Sequence, residues 1–370
     1  MIGRDADGNL TGRLIDNAMG LAERLVPPAD QAGQIDGLRL ASGQYAATGI
    51  GTVRDCAVSP DDYATLLAVA AAGALSTRVR ALISALGMTS AAQVEDLLDA
   101  MEGWRHSASP WLGVWGVKFG LDGGLEAGAT EEPYACDHTF SGTLMREAAA
   151  MAEAVEAAVR RGWRVGTHAY GDRAVRVLLD VYERVLDRNP GLPAGTLVME
   201  HGGLAGAGQR ARAVALGIPV TIQQPLLHDT AEVEAGYWGP ERVAALFPAR
   251  EWLDQGALVA AGSDFPVGQF GAMRSVWGMT TRQTVIGVQG PQHAITYDEA
   301  VALHTVHAAR LLGEDHLRGT LTIGRFADLT VWDTDPARVR GDALRDLNPA
   351  RTIVGGRVVH GPGSENRRGA

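Results

Sequence analysis

The stretch WRVGTHAYGDR, Trp163–Arg173, decides how this chain is read. Trp163, Val165 and Thr167 alternate with Arg164 and Gly166, the two-residue period of a strand. His168 stands where that strand ends. Asp172 then has the character of a helix N-cap, ahead of the apolar-periodic run Ala174, Val175, Val177, Leu178, Leu179, Val181 and Tyr182. A histidine at a strand's C-terminal end, just before a helix, occupies the place where a βα barrel puts its chemistry. Taken alone, it reads first as a core or turn histidine held by a backbone carbonyl.

Outward from this stretch the same unit recurs. Strands are expected at Ile50–Asp55, Arg78–Ile83, Val114–Gly124, Thr196–His201, Ile218–Gln223 and Ala257–Asp264. Helices are expected at Gln34–Thr48, Asp61–Ala74, Ala91–Gly103, Ser141–Gly162, Gly208–Leu216, Glu241–Gln255 and Ala300–Leu312, the last with a Thr296–Glu299 capping box. With the opening strand, that makes seven short strands, apolar on both faces. This is the pattern of a parallel sheet covered by helices. A closed barrel of this kind needs eight. Residues 1–13 read as a loop, and Asp16–Leu25 as a short helix stopped by Pro27 and Pro28. Beyond the last helix, Gly319–Trp332 and Thr352–His360 are glycine-punctuated β segments of a small module. The expected division is therefore a barrel over 1–315, a β module over 316–361 and a polar, disordered tail over 362–370.

Composition narrows the function. The chain has 370 residues, is 46% hydrophobic and 21% charged, and carries a net charge of −10. It offers no basic face for nucleic acid. No apolar run is long enough to span a membrane, and the charged, glycine-rich start is not a signal peptide. Cys56 and Cys136 form neither a zinc pair nor a disulfide framework, which points to the cytoplasm. The expected partner is a small-molecule substrate, and a homo-oligomer is compatible with the sequence. There is no GxGxxG after a strand, no GxxxxGK[ST] and no GxSxG, so dehydrogenase, P-loop and serine-hydrolase chemistries lack their motifs.

Four polar residues fall at the C-terminal ends of apolar strands: Lys118, His168, His201 and Asp264. Barrel strand ends converge on one face. Two imidazoles and a carboxylate arriving together suit zinc. Lys118, between Val117 and Phe119, would be costly to bury as a bare ammonium. It snorkels to the rim, pairs with Asp122 or a substrate carboxylate, or carries a modified amine. Asp264, in GSDFP, is either a ligand and proton acceptor or a turn cap. Gln223, His228 and Asp122 are weaker candidates for substrate contact. His304 and His307 read as helix-surface or interface histidines rather than ligands. Substrate choice is expected in the loops Cys136–Phe140, Gln224–Tyr237 and Gln269–Gln292.

VKFGLDGG, THAYGDRAV, MEHGG, GSDFPV and RGTLTIGRFADLTVWDTDP together resemble amidohydrolase family 3, the formamide-deformylase branch, in family order over nearly the whole chain. The resemblance implies an α/β fold, a TIM (β/α)8-type barrel with an accessory β-sandwich. It implies hydrolysis of a non-peptide carbon–nitrogen bond, amide or N-formyl, by water activated on one or two divalent ions, zinc by preference. Position by position, Lys118 would be a carboxylated ligand, His168 and His201 ligands from the fifth and sixth strands, and Asp264 the eighth-strand ligand and proton shuttle. The family's H-x-H pair on the first strand has no counterpart here. Read against that pattern, the chain starts after the first strand, keeps only the C-terminal remnant of the sandwich, and lacks two ligands. The alternatives are a truncated, non-catalytic remnant or partner chain, and a lactone or phosphoester hydrolase.

Overall fold

The structure is a computed structural model and describes residues 2–5, 7–14, 18–27, 29–88, 90–105 and 109–364. Its strands, in chain order, are β1 (Ile2–Arg4), β2 (Leu10–Leu14), β3 (Thr52–Val58), β4 (Arg78–Ser84), β5 (Leu112–Gly120), β6 (Arg164–Ala169), β7 (Leu197–His201), β8 (Val220–Ile222), β9 (Val259–Ala261), β10 (Gln283–Thr284), β11 (Gly287–Val288), β12 (Leu329–Val331), β13 (Arg351–Val354) and β14 (Arg357–His360). The helices are α1 (Gly20–Glu23), α2 (Gln31–Ala47), α3 (Pro60–Ala71), α4 (Ala91–Glu102), α5 (Ala148–Arg160), α6 (Asp172–Arg188), α7 (Ala207–Ala215), α8 (Gln224–Trp238), α9 (Pro240–Ala245), α10 (Ala249–Asp254), α11 (Ala272–Thr281), α12 (Tyr297–His304), α13 (Val306–Leu312) and α14 (Asp342–Arg345).

Strands β3 to β9 form one sheet in sequential order, every pair parallel. Among the described residues β3 pairs only with β4 and β9 only with β8, so this is a seven-stranded barrel left open at two edges. The expected strand count holds.

Strand β6 explains why the sheet curls around a polar lumen. Val165, Thr167 and Ala169 are fully buried on the outer face, where the Tyr182 hydroxyl of α6 donates to Thr167 Oγ1 at 2.8 Å. Arg164, Gly166 and His168 face inward. A Cβ on Gly166 would lie 2.4 Å from Glu200 Oε1 and 2.7 Å from Leu82, so only glycine fits there. The outer layer is a continuous aliphatic core of strands against helices. The lumen holds a small second cluster, Leu82, Trp115, Val198, Ala260 and Leu311, hemmed in by charge. Strand register ties each inward position to its neighbour's, so the alternation in one strand propagates around the sheet.

Several boundaries differ from expectation for identifiable reasons. Residues 1–13 include a hairpin, β1 against β2, rather than loop alone. Helix α5 begins at Ala148 and not at Ser141. Gly142 at φ 74° turns the chain, and Ser141 gives its carbonyl to Thr130 N and Arg173. Gly171, not Asp172, is the N-cap of α6, and Asp172 instead accepts from Glu131 N. The expected loops at 224–237 and 269–292 contain α8 and α11. The last helix breaks at Thr305 into α12 and α13, though its capping box is present. The two C-terminal β segments shorten to β12 and a β13–β14 hairpin turning on Gly355 and Gly356. That small sheet packs on α2 and the start of β3 through Thr352 Oγ1 to Ala46 O and Thr330 Oγ1 to Gly49 O. Most of the 362–370 tail, and the start of the 16–25 helix, lie outside the described residues.

Candidate metal centre

The C-terminal ends of β5, β6, β7 and β9 bring Lys118, His168, His201 and Asp264 to one mouth. Lys118 pairs in register with Gly166, and His168 with Glu200. The His168 and His201 rings lie 4.5 Å apart at 70°. Simple alternation would send His201 to the face opposite Glu200. A φ of 73° turns it, and Asp264 sits at φ 58° just past β9. Positive φ is costly for non-glycine residues and clusters where geometry is imposed for function.

Each imidazole is oriented by its neighbours. Thr221 donates its hydroxyl to Glu200 Oε2 at 2.6 Å, because an ionised carboxylate can only accept. Thr221 Oγ1 then accepts from Gln223 Nε2 at 3.0 Å. That fixes the amide so that Gln223 Oε1 faces His201 Nδ1 at 2.8 Å and takes its proton. The lone pair of His201 is therefore on Nε2. His168 Nε2 lies 3.0 Å from the Gly123 carbonyl and 3.3 Å from Asp122 Oδ1, which leaves its lone pair on Nδ1. Second-neighbour hydrogen bonds of this kind prepare histidines as ligands. Burial, together with His168 and Lys118, pushes His201 well below the usual histidine range, so it is held neutral.

Lys118 is 6% exposed, and makes no hydrogen bond or ion pair among the described residues. Its charge is felt by Glu200, His201 and Asp264. Asp264 keeps an exposed edge toward the mouth. Surrounding protein raises its carboxyl, and Lys118 and His168 pull it back.

The weaker candidates take other roles. Asp122, 1% exposed, accepts from the backbone of Ala129, Tyr170 and Gly171, and so braces the loops around His168. Gln223 is committed to His201. His228 packs against Trp277 and bonds Asp229, beside Arg274, rather than joining the two imidazoles. His304 and His307 are not surface groups. Burial lowers His304 to about 4, and His307 meets the Val259 carbonyl at 3.0 Å. Both cysteines are free, Cys136 on the surface.

Three partners escape the sequence reading. Arg54 on β3 reaches across the lumen to pair with Glu200. Tyr170 presents its edge to His201 at 5.8 Å and donates its hydroxyl to Glu234, a residue of α8. The one signal was a charged residue inside an otherwise apolar strand, Glu200 in LVMEH.

Two oriented imidazole lone pairs fit a divalent cation in donor chemistry, whereas Lys118 as an ammonium has no lone pair to give. Among the described residues, however, no three His, Cys, Asp or Glu side chains stand together as a group that could hold one. The histidine pair therefore needs a carboxylated Lys118, or donors beyond this set, to complete a cage.

A sequence profile of the amidohydrolase family matches residues 1–360. The chain belongs to that family. It is 27% identical over 368 residues to the N-substituted formamide deformylase of Arthrobacter pascens, covering 96% of this chain and 66% of that protein. Among solved structures it is similar to an uncharacterized metal-dependent hydrolase from Pyrococcus horikoshii, with a TM-score of 0.76 and 22% identity over 91% of this chain and 68% of that one. It is also similar to atrazine chlorohydrolase from Arthrobacter aurescens complexed with zinc, with a TM-score of 0.61 and 15% identity over 94% of this chain and 77% of that one. The chain thus spans about two thirds of the curated relative's length.

Proposed function

We propose that this amidohydrolase hydrolyses a non-peptide carbon–nitrogen bond of a small amide, N-formyl or N-acyl compound, with a divalent metal, zinc by preference. What carries the reading is the oriented pair His168 and His201, each with its lone pair freed by a named hydrogen bond. These two, with Asp264, would hold the metal, and Lys118 would join them only in a carboxylated, anionic form. When bound, the metal would act as a Lewis acid on the carbonyl and acidify the attacking water. Asp264, exposed at the mouth, takes the water proton and delivers it to the departing amine nitrogen. Lys118 serves either as a cation for the developing negative charge or, carboxylated, as an anionic oxygen donor. The formyl preference is borrowed from the formamide deformylase likeness. Cytoplasmic residence is our reading from the two free cysteines. Among the described residues no helix is long and apolar enough to cross a membrane.

A competing reading is that this chain alone does not retain metal, favoured by the two imidazoles standing without a third such donor among the described residues. One experiment separates them. Purified protein is loaded with zinc, dialysed, and assayed for metal content and for turnover of N-substituted formamides, N-acyl amino acids and lactones. Stoichiometric zinc in the wild type, lost in both His168→Ala and His201→Ala, supports the proposal, as does formamide turnover falling by three or more orders of magnitude. Zinc retained in both variants sinks the ligand assignment. Lactone turnover without amide turnover sinks the substrate class.

A further inference from the structure

The opposite, N-terminal mouth of the lumen has no part in the reaction above, yet it concentrates positive charge. Arg78 pairs with Asp328 at 2.8 Å, while Arg80 and Arg318 share Glu314 at 2.6 and 3.0 Å. Arg164 makes no ion pair among the described residues. Four guanidinium groups thus meet two carboxylates, in a chain whose net charge is −10. A cavity of about 460 Å³ opens here, lined by Arg80, Arg164, Trp115, Leu312, Glu314 and Phe326 among others. Arg164 stacks on Trp115 at 5.4 Å. Only its Nη1 is engaged, by the Leu311 and Leu312 carbonyls at 3.3 and 2.6 Å. The glycine that follows is fitted to it, since a Cβ on Gly313 would lie 2.3 Å from Arg164 Nη2.

We propose that this mouth binds a small organic monocarboxylate with an apolar body, the free edge of the Arg164 guanidinium supplying the counter-charge. A planar guanidinium matches a carboxylate through two parallel hydrogen bonds. Glu314 acts on Arg164 only from beyond ion-pair distance, so the guanidinium is partly desolvated without an anion in contact, and a ligand carboxylate relieves it. The walls select the rest of the molecule. Trp115, Leu312 and Phe326 accept an apolar or aromatic body, and the volume falls within the range of small-molecule sites. Glu314, also in the wall, disfavours a dianion such as phosphate. Arg164 and His168 are four residues apart on β6, about 13 Å along the strand. The site is therefore separate from the candidate metal centre.

The test is isothermal titration of the full chain, stripped of metal with a chelator, using benzoate, benzyl alcohol and inorganic phosphate at matched ionic strength. Saturable benzoate binding in the low-millimolar range or tighter is expected, with benzyl alcohol and phosphate each at least tenfold weaker. Arg164→Gln should weaken benzoate at least tenfold. Because Arg164 also holds two carbonyls, Leu317→Trp or Ser109→Trp provides a second variant that fills the cavity and leaves the charges alone; Leu317 makes no side-chain hydrogen bond among the described residues, whereas Ser109, exposed on the rim, accepts from Trp111 N and Leu112 N. Either should abolish binding with the circular dichroism spectrum unchanged. Benzyl alcohol or phosphate binding as tightly as benzoate, undiminished binding in a folded Leu317→Trp or Ser109→Trp protein, or no saturable binding would each overturn the proposal. None of these outcomes bears on the zinc assignment.

Discussion

Glu200 and Glu234 are both buried, at 2% and 0% exposure, each linked to His201 through intervening side chains, and they hold their protons with opposite strength. Burial pushes both carboxyls up. At Glu200, Arg54 and Lys118 and the Thr221 hydroxyl pull harder in the other direction, and the group ends below the usual range. At Glu234 the Tyr170 hydroxyl is the chief opposing force, and its carboxyl rises to about 7. The difference teaches that neutral donors do not replace a cation when a carboxylate leaves water. It also separates two jobs. Glu200 is a fixed anion that orients the Thr221–Gln223–His201 chain. Glu234 is a group whose charge is undecided near neutrality.

The largest effect should come from breaking the lumen side of this contrast. Arg54→Met leaves Glu200 buried without its cation, a loss of about 3–5 kcal/mol in chemical denaturation. Replacing both, Arg54→Met with Glu200→Met, should recover most of it, since an apolar pair of similar volume avoids both desolvation costs. A single-variant loss below about 1 kcal/mol would mean the pair behaves like a surface salt bridge and the contrast is misdrawn.

The next effect has a sign fixed by linkage. Glu234 has its native pKa raised above the unfolded value of 4.5. Between 4.5 and about 7 the native state holds the proton and the unfolded state does not, so stability falls as pH rises. Below that window the group costs nothing, and above it the penalty is complete, about 3 kcal/mol for a shift of this size. Glu234→Gln should remove the share of the decline that Glu234 contributes, leaving that of Asp55, whose carboxyl burial raises to about 6, and denaturation at pH values either side of the window will read the difference. A wild type and variant with parallel profiles would show that Glu234 does not titrate there. Glu200, shifted the other way, loses its contribution only on acidification below the ordinary carboxylate range.

Much of this architecture is legible in the sequence because strand alternation is a local signal. WRVGTHA declares which side chains face the helices, and seven such strands declare an open parallel sheet. The ends of those strands give Lys118, His168, His201 and Asp264. What resists reading is whatever depends on contacts across the lumen. Arg54 and Glu200 are 146 residues apart, and nothing near either announces the other. Tyr170 and Glu234 meet because α8 folds over the mouth, where the residues after Gln223 read as loop. The same reason moves Gln223 and Asp122 from expected substrate contacts to bracing groups. Their polarity is visible in sequence, whereas the partner that consumes it is not.

The smallest effect sharpens the Glu234 side of the contrast. Tyr170 donates its hydroxyl to Glu234, and its ring is wedged between Trp238, Phe247 and His201. Tyr170→Phe keeps that wedge and deletes only the donor. At low pH, where Glu234 is protonated, the loss is that of one neutral hydrogen bond, about 1 kcal/mol. Above neutrality the carboxylate is ionised and loses a charge-assisted bond, which costs about 1 kcal/mol more. The stability profile should therefore steepen and its midpoint move above 7, the reverse of what Glu234→Gln does. In the double variant, Tyr170→Phe should lose its pH-dependent part, because the titrating group is gone. If Tyr170→Phe costs the same at every pH, the hydroxyl serves packing alone. The raised carboxyl would then owe its position to burial without any help or hindrance from the tyrosine.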